Sequence, residues 1–90
     1  MKAIRAEVHG YVQGVGFRYT TRRFAHQIGV VGWVRNLPSG AVEVWAQGPA
    51  EAVDRLAAFL EQGPRGARVD RVVVRHVEAD SAMQGFDVKF

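Results

Sequence analysis

The sequence predicts an α+β two-layer sandwich, and three observations lead there. Period-2 apolar alternation marks strands at Ile4–Val12 and Ala41–Gln47. Helical spacing of apolar residues appears twice, after Phe17 and after Pro49, with β-rich segments between and beyond. The resulting order is β-α-β-β-α-β with a short strand appended, which is the split-βαβ, ferredoxin-like arrangement. The expected fold is an antiparallel sheet with two helices on one face. At 90 residues, residues 1–90 are expected to form a single domain around one core.

Each element has a local cause. Ile4, Ala6, Val8, Gly10 and Val12 alternate with Arg5, Glu7, His9 and Tyr11, so the first strand buries one face. Gln13-Gly14-Val15-Gly16 interrupts it. Phe17, Phe24 and Ile28, with Thr20 or Thr21 between, predict a short helix that Gly29 ends. Val30 to Leu37 is β-rich, Pro38-Ser39-Gly40 is a turn, and Val42, Val44 and Ala46 share one side of the next strand. A three-residue turn sets Trp33 opposite Trp45, Val34 opposite Val44 and Arg35 opposite Glu43. Each such pair is worth about 0.2–1 kcal/mol over Ala–Ala. This register puts the valines under the helices and the tryptophans on the open face. Pro49 suits a first helical turn, and Val53, Leu56, Ala57 and Leu60 follow at i, i+3, i+4 and i+7 before Gly63-Pro64. Val69 to Glu78 reads as a strand apolar on both faces near Val72-Val73-Val74, and Phe86, Val88 and Phe90 as a short final one.

Composition excludes several classes. The chain is 48% hydrophobic and 23% charged, which is ordinary globular composition and argues against disorder. The longest apolar stretch, with Gly included, runs only from Ile28 to Val34, too short for a membrane span. No cysteine is present, so disulfides, thiol nucleophiles and thiolate metal sites are excluded. Without a signal-like apolar block near Met1, a soluble, cytoplasmic protein is expected. A monomer is expected too. Twelve bases against nine acids give +3, and ten of the bases are Arg. Arg suits forked contacts with an anionic ligand, though codon bias explains the excess equally well; the bases are scattered, so a nucleic-acid footprint is weak.

The most informative segment is Gly10-Tyr11-Val12-Gln13-Gly14-Val15-Gly16-Phe17-Arg18. Gly14 and Gly16 allow successive N–H groups to converge, as in an anion-binding nest, and the following helix start adds unpaired N–H groups and a positive dipole end. Arg18 would repel that dipole, and a bound dianion would give the residue a reason to be there. The alternative is a Gly-rich turn with an incidental surface Arg. Gly16 is not followed by Lys-Ser/Thr, and Tyr19 stands where a dinucleotide fingerprint has its third Gly, so neither nucleotide loop fits. The topology brings in Asn36. Strands one and two run parallel on either side of strand three, their axes about 9–10 Å apart, so the loop and the end of strand two share an edge. Asn36 has the parity of Val34, turned toward the helix layer; its alternative role is a local cap on the hairpin turn.

Together with Gly32-Trp33-Val34-Arg35-Asn36-Leu37-Pro38-Ser39-Gly40-Ala41-Val42, the loop segment resembles the two signatures of the acylphosphatase family. Chain length, element order, Gln47-Gly48-Pro49 before the second helix and Phe86-Asp87-Val88-Lys89-Phe90 agree with it. The resemblance implies hydrolysis of the carboxyl–phosphate bond of small acyl phosphates without metal or cofactor, with inorganic phosphate as a product inhibitor. It implies that Arg18 and the backbone N–H groups of Val15, Gly16, Phe17 and Arg18 bind the phosphoryl group. Asn36 would orient the attacking water, and Gln13 and Gly14 would shape the loop. Leu37 stands where many relatives carry a small hydroxyl residue. No nucleic-acid or membrane partner is implied.

Other residues invite other readings. His9, His26 and His76 are too dispersed for a metal site. Trp33 and Trp45 beside Arg35 could stack on bases, making a small RNA-binding module. Ala41–Gln47 lacks the basic-Gly-aromatic-x-aromatic pattern such modules carry, and a cross-strand pair shielding the sheet explains both tryptophans.

Overall fold

The computed structural model describes all of Met1–Phe90. Its elements are β1 (Lys2–Tyr11), α1 (Phe17–Ile28), β2 (Val31–Asn36), β3 (Val42–Gly48), α2 (Ala50–Gln62), β4 (Arg68–His76) and β5 (Phe86–Lys89). The strands form one sheet in the order β4-β1-β3-β2-β5. The ferredoxin-like α+β sandwich is therefore the fold, with both helices on the face carrying Ile4, Val8, Val34 and Val44.

The hairpin register follows the sequence reading residue for residue: Trp33 pairs with Trp45, Val34 with Val44 and Arg35 with Glu43. Val34 and Val44 are fully buried, while the tryptophans remain half-covered on the other face. β3 is antiparallel to both β1 and β2, which makes β1 and β2 parallel neighbours once removed. One feature corrects the expectation of a wholly antiparallel sheet. β5 lies beside β2 and runs parallel to it, Gly32 opposite Phe86 and Arg35 opposite Lys89. The sheet is mixed because β4 occupies the edge next to β1, leaving the outer side of β2 for the last strand.

The helices close the core. Phe17, Thr21 and Ala25 form the buried stripe of α1; Ala52, Val53, Leu56 and Leu60 form that of α2. Phe24 stacks on Phe59 with centroids 4.8 Å apart, and Phe17 meets the same ring at 6.5 Å. β4 is less buried than its valines suggest, because an edge strand has one neighbour: Val73 and Val74 stay exposed while Val72 is half-buried. None of the helices is long and apolar enough to cross a membrane.

The open face carries an ion-pair cluster. Glu43, 1% exposed, lies between Arg5 of β1 and Arg35 of β2. Burial pushes its carboxyl pKa up, but hydrogen bonds from Arg35 and Arg5 and the charges of both outweigh this. The net result lies below the ordinary carboxylate value.

Candidate active site

β1 ends in a register shift between His9 and Gly10 against β4, and the loop departs just beyond it. Buried Val12 anchors the start of the loop. Gln13 then ties it to the β2–β3 hairpin, its Nε2 donating to the Leu37 carbonyl at 2.8 Å and the Ala41 carbonyl at 2.9 Å. Gly14 and Gly16 both sit at φ 76°, in the left-handed region, where a Cβ would be strained. This reversal lets the chain enter α1 with Phe17 buried and Arg18 half-exposed.

The start of α1 is unfinished. No side chain caps it and its first turn contains no acid. No backbone carbonyl accepts from the N–H groups of Val15, Gly16, Phe17 or Arg18. Instead the Gly16 carbonyl takes both the N–H and the Oγ1 of Thr20, at 3.0 and 2.9 Å. Four N–H groups without intramolecular acceptors and a positive dipole end thus lie together at the start of α1.

Arg18 is half-exposed and pairs with no carboxylate. Its guanidinium donates to the Lys89 carbonyl at 3.3 Å and lies 4.8 Å from the Phe90 ring centroid and 5.9 Å from that of Tyr19. The sequence reading assigns this side chain no structural partner, and here it has one, supplied by β5. Lys89 is the register partner of Arg35, one residue before Asn36. Gln13 reaches Leu37, one residue after Asn36. Loop and guanidinium therefore bracket Asn36, at the edge the topology predicts.

Asn36 is half-buried. No polar side-chain atom in the protein is both buried and unpaired, so the carboxamide, which makes no intramolecular hydrogen bond, reaches solvent. It does not cap the hairpin either. That turn is closed by Leu37 N–H to the Ala41 carbonyl at 2.8 Å and Gly40 N–H to the Leu37 carbonyl at 3.1 Å.

The tryptophans and histidines have separate employment. The Arg35 guanidinium lies 5.1 Å and the Lys89 ammonium 4.6 Å from the Trp33 ring centroid, which leaves that ring poorly placed as a stacking platform. His9 meets Glu7 at 3.0 Å, and His26 meets the Phe86 carbonyl at 3.1 Å. Sequence reasoning missed Gln13 as a strut between two carbonyls, Lys89 as the acceptor for Arg18, and Arg5 as the second partner of Glu43. Only the last had a local signal: Arg5 shares the solvent-facing parity of β1 with Glu7 and His9.

The fold is a ferredoxin-like α+β sandwich whose first βα turn leaves amides without intramolecular acceptors next to a guanidinium that no carboxylate pairs, features suited to an anionic ligand. The sequence model of the Acylphosphatase family matches residues 4–88, and the chain belongs to that family. It is 48% identical over 88 residues to an acylphosphatase of Rubrobacter xylanophilus, covering 98% of this chain and 80% of the relative. A Thermococcus kodakarensis acylphosphatase is 48% identical over 90 residues, covering 98% of each. The crystal structure of acylphosphatase from Bacillus subtilis superposes with a TM-score of 0.95 at 31% identity, covering 100% of both chains. The protein is an enzyme with acylphosphatase activity, hydrolysing acyl phosphates.

Proposed function

We propose that Arg18 and the N–H groups of Val15, Gly16, Phe17 and Arg18 hold the substrate phosphoryl group, and that Asn36 orients the water that attacks it. The observation that carries this is the bracketing of an unengaged Asn36 by the Gln13 strut and the Arg18–Lys89 contact. Gln13 and Gly14 serve the loop geometry. A carboxylate is a good leaving group, so catalysis reduces to alignment and charge stabilisation. Preorganised amides and one forked guanidinium meet the equatorial oxygens as charge redistributes over them. The water oxygen bonds to phosphorus while the bond from phosphorus to the acyl oxygen breaks. The acyl group leaves as carboxylate, and a phosphoryl oxygen takes the proton of the water, giving dihydrogen phosphate. No step requires a protein base, a metal or a cofactor.

Residues 1–90 act in this reading as one cytoplasmic, monomeric unit on small acyl phosphates, with inorganic phosphate competing for the same amides. Benzoyl phosphate hydrolysis with and without EDTA tests it: turnover should be unaffected by the chelator and inhibited by phosphate. Asn36→Ala should lower kcat by about 100-fold or more with a smaller rise in KM, because an oriented water matters chiefly in the transition state. An effect on KM alone would remove Asn36 from this role.

A further inference from the structure

β5 is four residues long and hydrogen-bonds to only one neighbour, β2. Such an edge strand would be poorly fixed along its outer side. In this protein α1 holds it. Arg18, Arg22 and His26 recur every fourth residue and so form one stripe along the helix. All three reach carbonyls of β5: Arg18 that of Lys89 at 3.3 Å, Arg22 Nε that of Phe86 at 3.3 Å, and His26 Nε2 the same Phe86 carbonyl at 3.1 Å. A carbonyl only accepts, so His26 carries its proton on Nε2 in this contact. Eight helical residues rise about 12 Å. Three strand steps span about 10 Å, so stripe and strand match in length and run antiparallel.

We propose that Arg22 and His26 are positioning residues for the hydrolysis. By fixing the Phe86 carbonyl they set where β5 lies along α1. That in turn sets the Lys89 carbonyl, against which the Arg18 guanidinium is aimed beside Asn36. The inference rests on Arg18 binding the phosphoryl group. It adds that the aim of Arg18 is determined by residues one and two helical turns further along. Neither Arg22 nor His26 touches substrate.

The test compares Arg22→Leu, His26→Leu and Arg22→Lys with Arg23→Leu, which removes a base from an exposed site on α1 whose side chain makes no hydrogen bond to β5. The readouts are the inhibition constant of inorganic phosphate, KM and kcat for benzoyl phosphate, and Tm. An inhibition constant does not depend on the folded fraction, so a merely structural loss leaves it unmoved. Arg22→Leu should raise it about 10-fold, His26→Leu less, with Arg22→Lys recovering part. Arg23→Leu should change it by less than about twofold. The deficit of Arg22→Leu should persist between about 0.05 M and about 1 M KCl, since screening removes long-range charge effects but not a misplaced side chain. Equal effects of Arg22→Leu and Arg23→Leu, or a deficit that disappears at high salt, would overturn the proposal. Arg18→Ala separates the two levels. If it raises the inhibition constant and Arg22→Leu does not, the positioning role alone fails; if it leaves the constant unchanged, the phosphoryl-binding reading fails and takes this inference with it.

Discussion

The two helices start in opposite ways. α2 follows Pro49, whose φ of −56° is already helical in value, and places Glu51 in its first turn. α1 follows a left-handed Gly16, has no acid in its first turn, and carries Arg18 at its second position. Neither has a side-chain cap, yet the dipole of α2 is complemented and that of α1 is opposed. Both helices bury comparable stripes, so core packing does not explain the difference. An uncompensated helix start that the rest of the fold holds in place, through Gln13 and Lys89, is an arrangement suited to an anion supplied from outside.

The comparison can be broken most severely at Arg18. Arg18→Ala should reduce turnover to near the limit of detection, while stability changes by less than about 1 kcal/mol, because losing the exposed contact with the Lys89 carbonyl is offset by removing a cation from a helix start. Activity assays and thermal melts of one preparation would check both halves. The corresponding damage at α2 is structural: Leu56→Ala should cost about 2–5 kcal/mol through a cavity, with the activity per folded molecule retained. Denaturant titration measures it.

A gentler change makes α1 resemble α2. Tyr19→Glu supplies the missing acid and should stabilise the protein by about 0.3–1 kcal/mol while weakening phosphate inhibition. Unchanged inhibition would mean that the open helix start contributes nothing to anion binding. The smallest effect is expected on the opposite face of the sheet, away from both helix starts. Glu43 has a lowered pKa when folded, so its contribution to stability is complete above the unfolded value, about 4.3, and is lost as pH falls through the folded one. Glu43→Gln should flatten the acid limb of stability against pH below about 5 and leave the turnover of folded protein unaltered.

Much of the scaffold was legible because its causes are local. Period-2 alternation marked β1 and β3, the i, i+3, i+4, i+7 spacing marked α2, and a three-residue turn with complementary cross-strand pairs gave the hairpin register. Within the candidate site, the Gly14–Gly16 turn and the shared edge of Arg18 and Asn36 followed from loop chemistry and βαβ topology. The direction of β5 was not legible, because Phe86, Val88 and Phe90 alternate equally well in either orientation. Nor were the partners of Arg18 and Gln13, which lie 71 and 24 or more residues away.

The sequence by itself therefore determined which elements form, in what order, and which loop meets which strand end, since periodicity, turn chemistry and crossover handedness act over a few residues or through topology alone. Only the tertiary structure decided which sheet edge the last strand takes, which carbonyl aims the guanidinium, and which second arginine encloses Glu43. Those choices depend on which hydrogen-bonding edges and buried charges remain unsatisfied once everything else has packed, and no local stretch of sequence encodes that remainder.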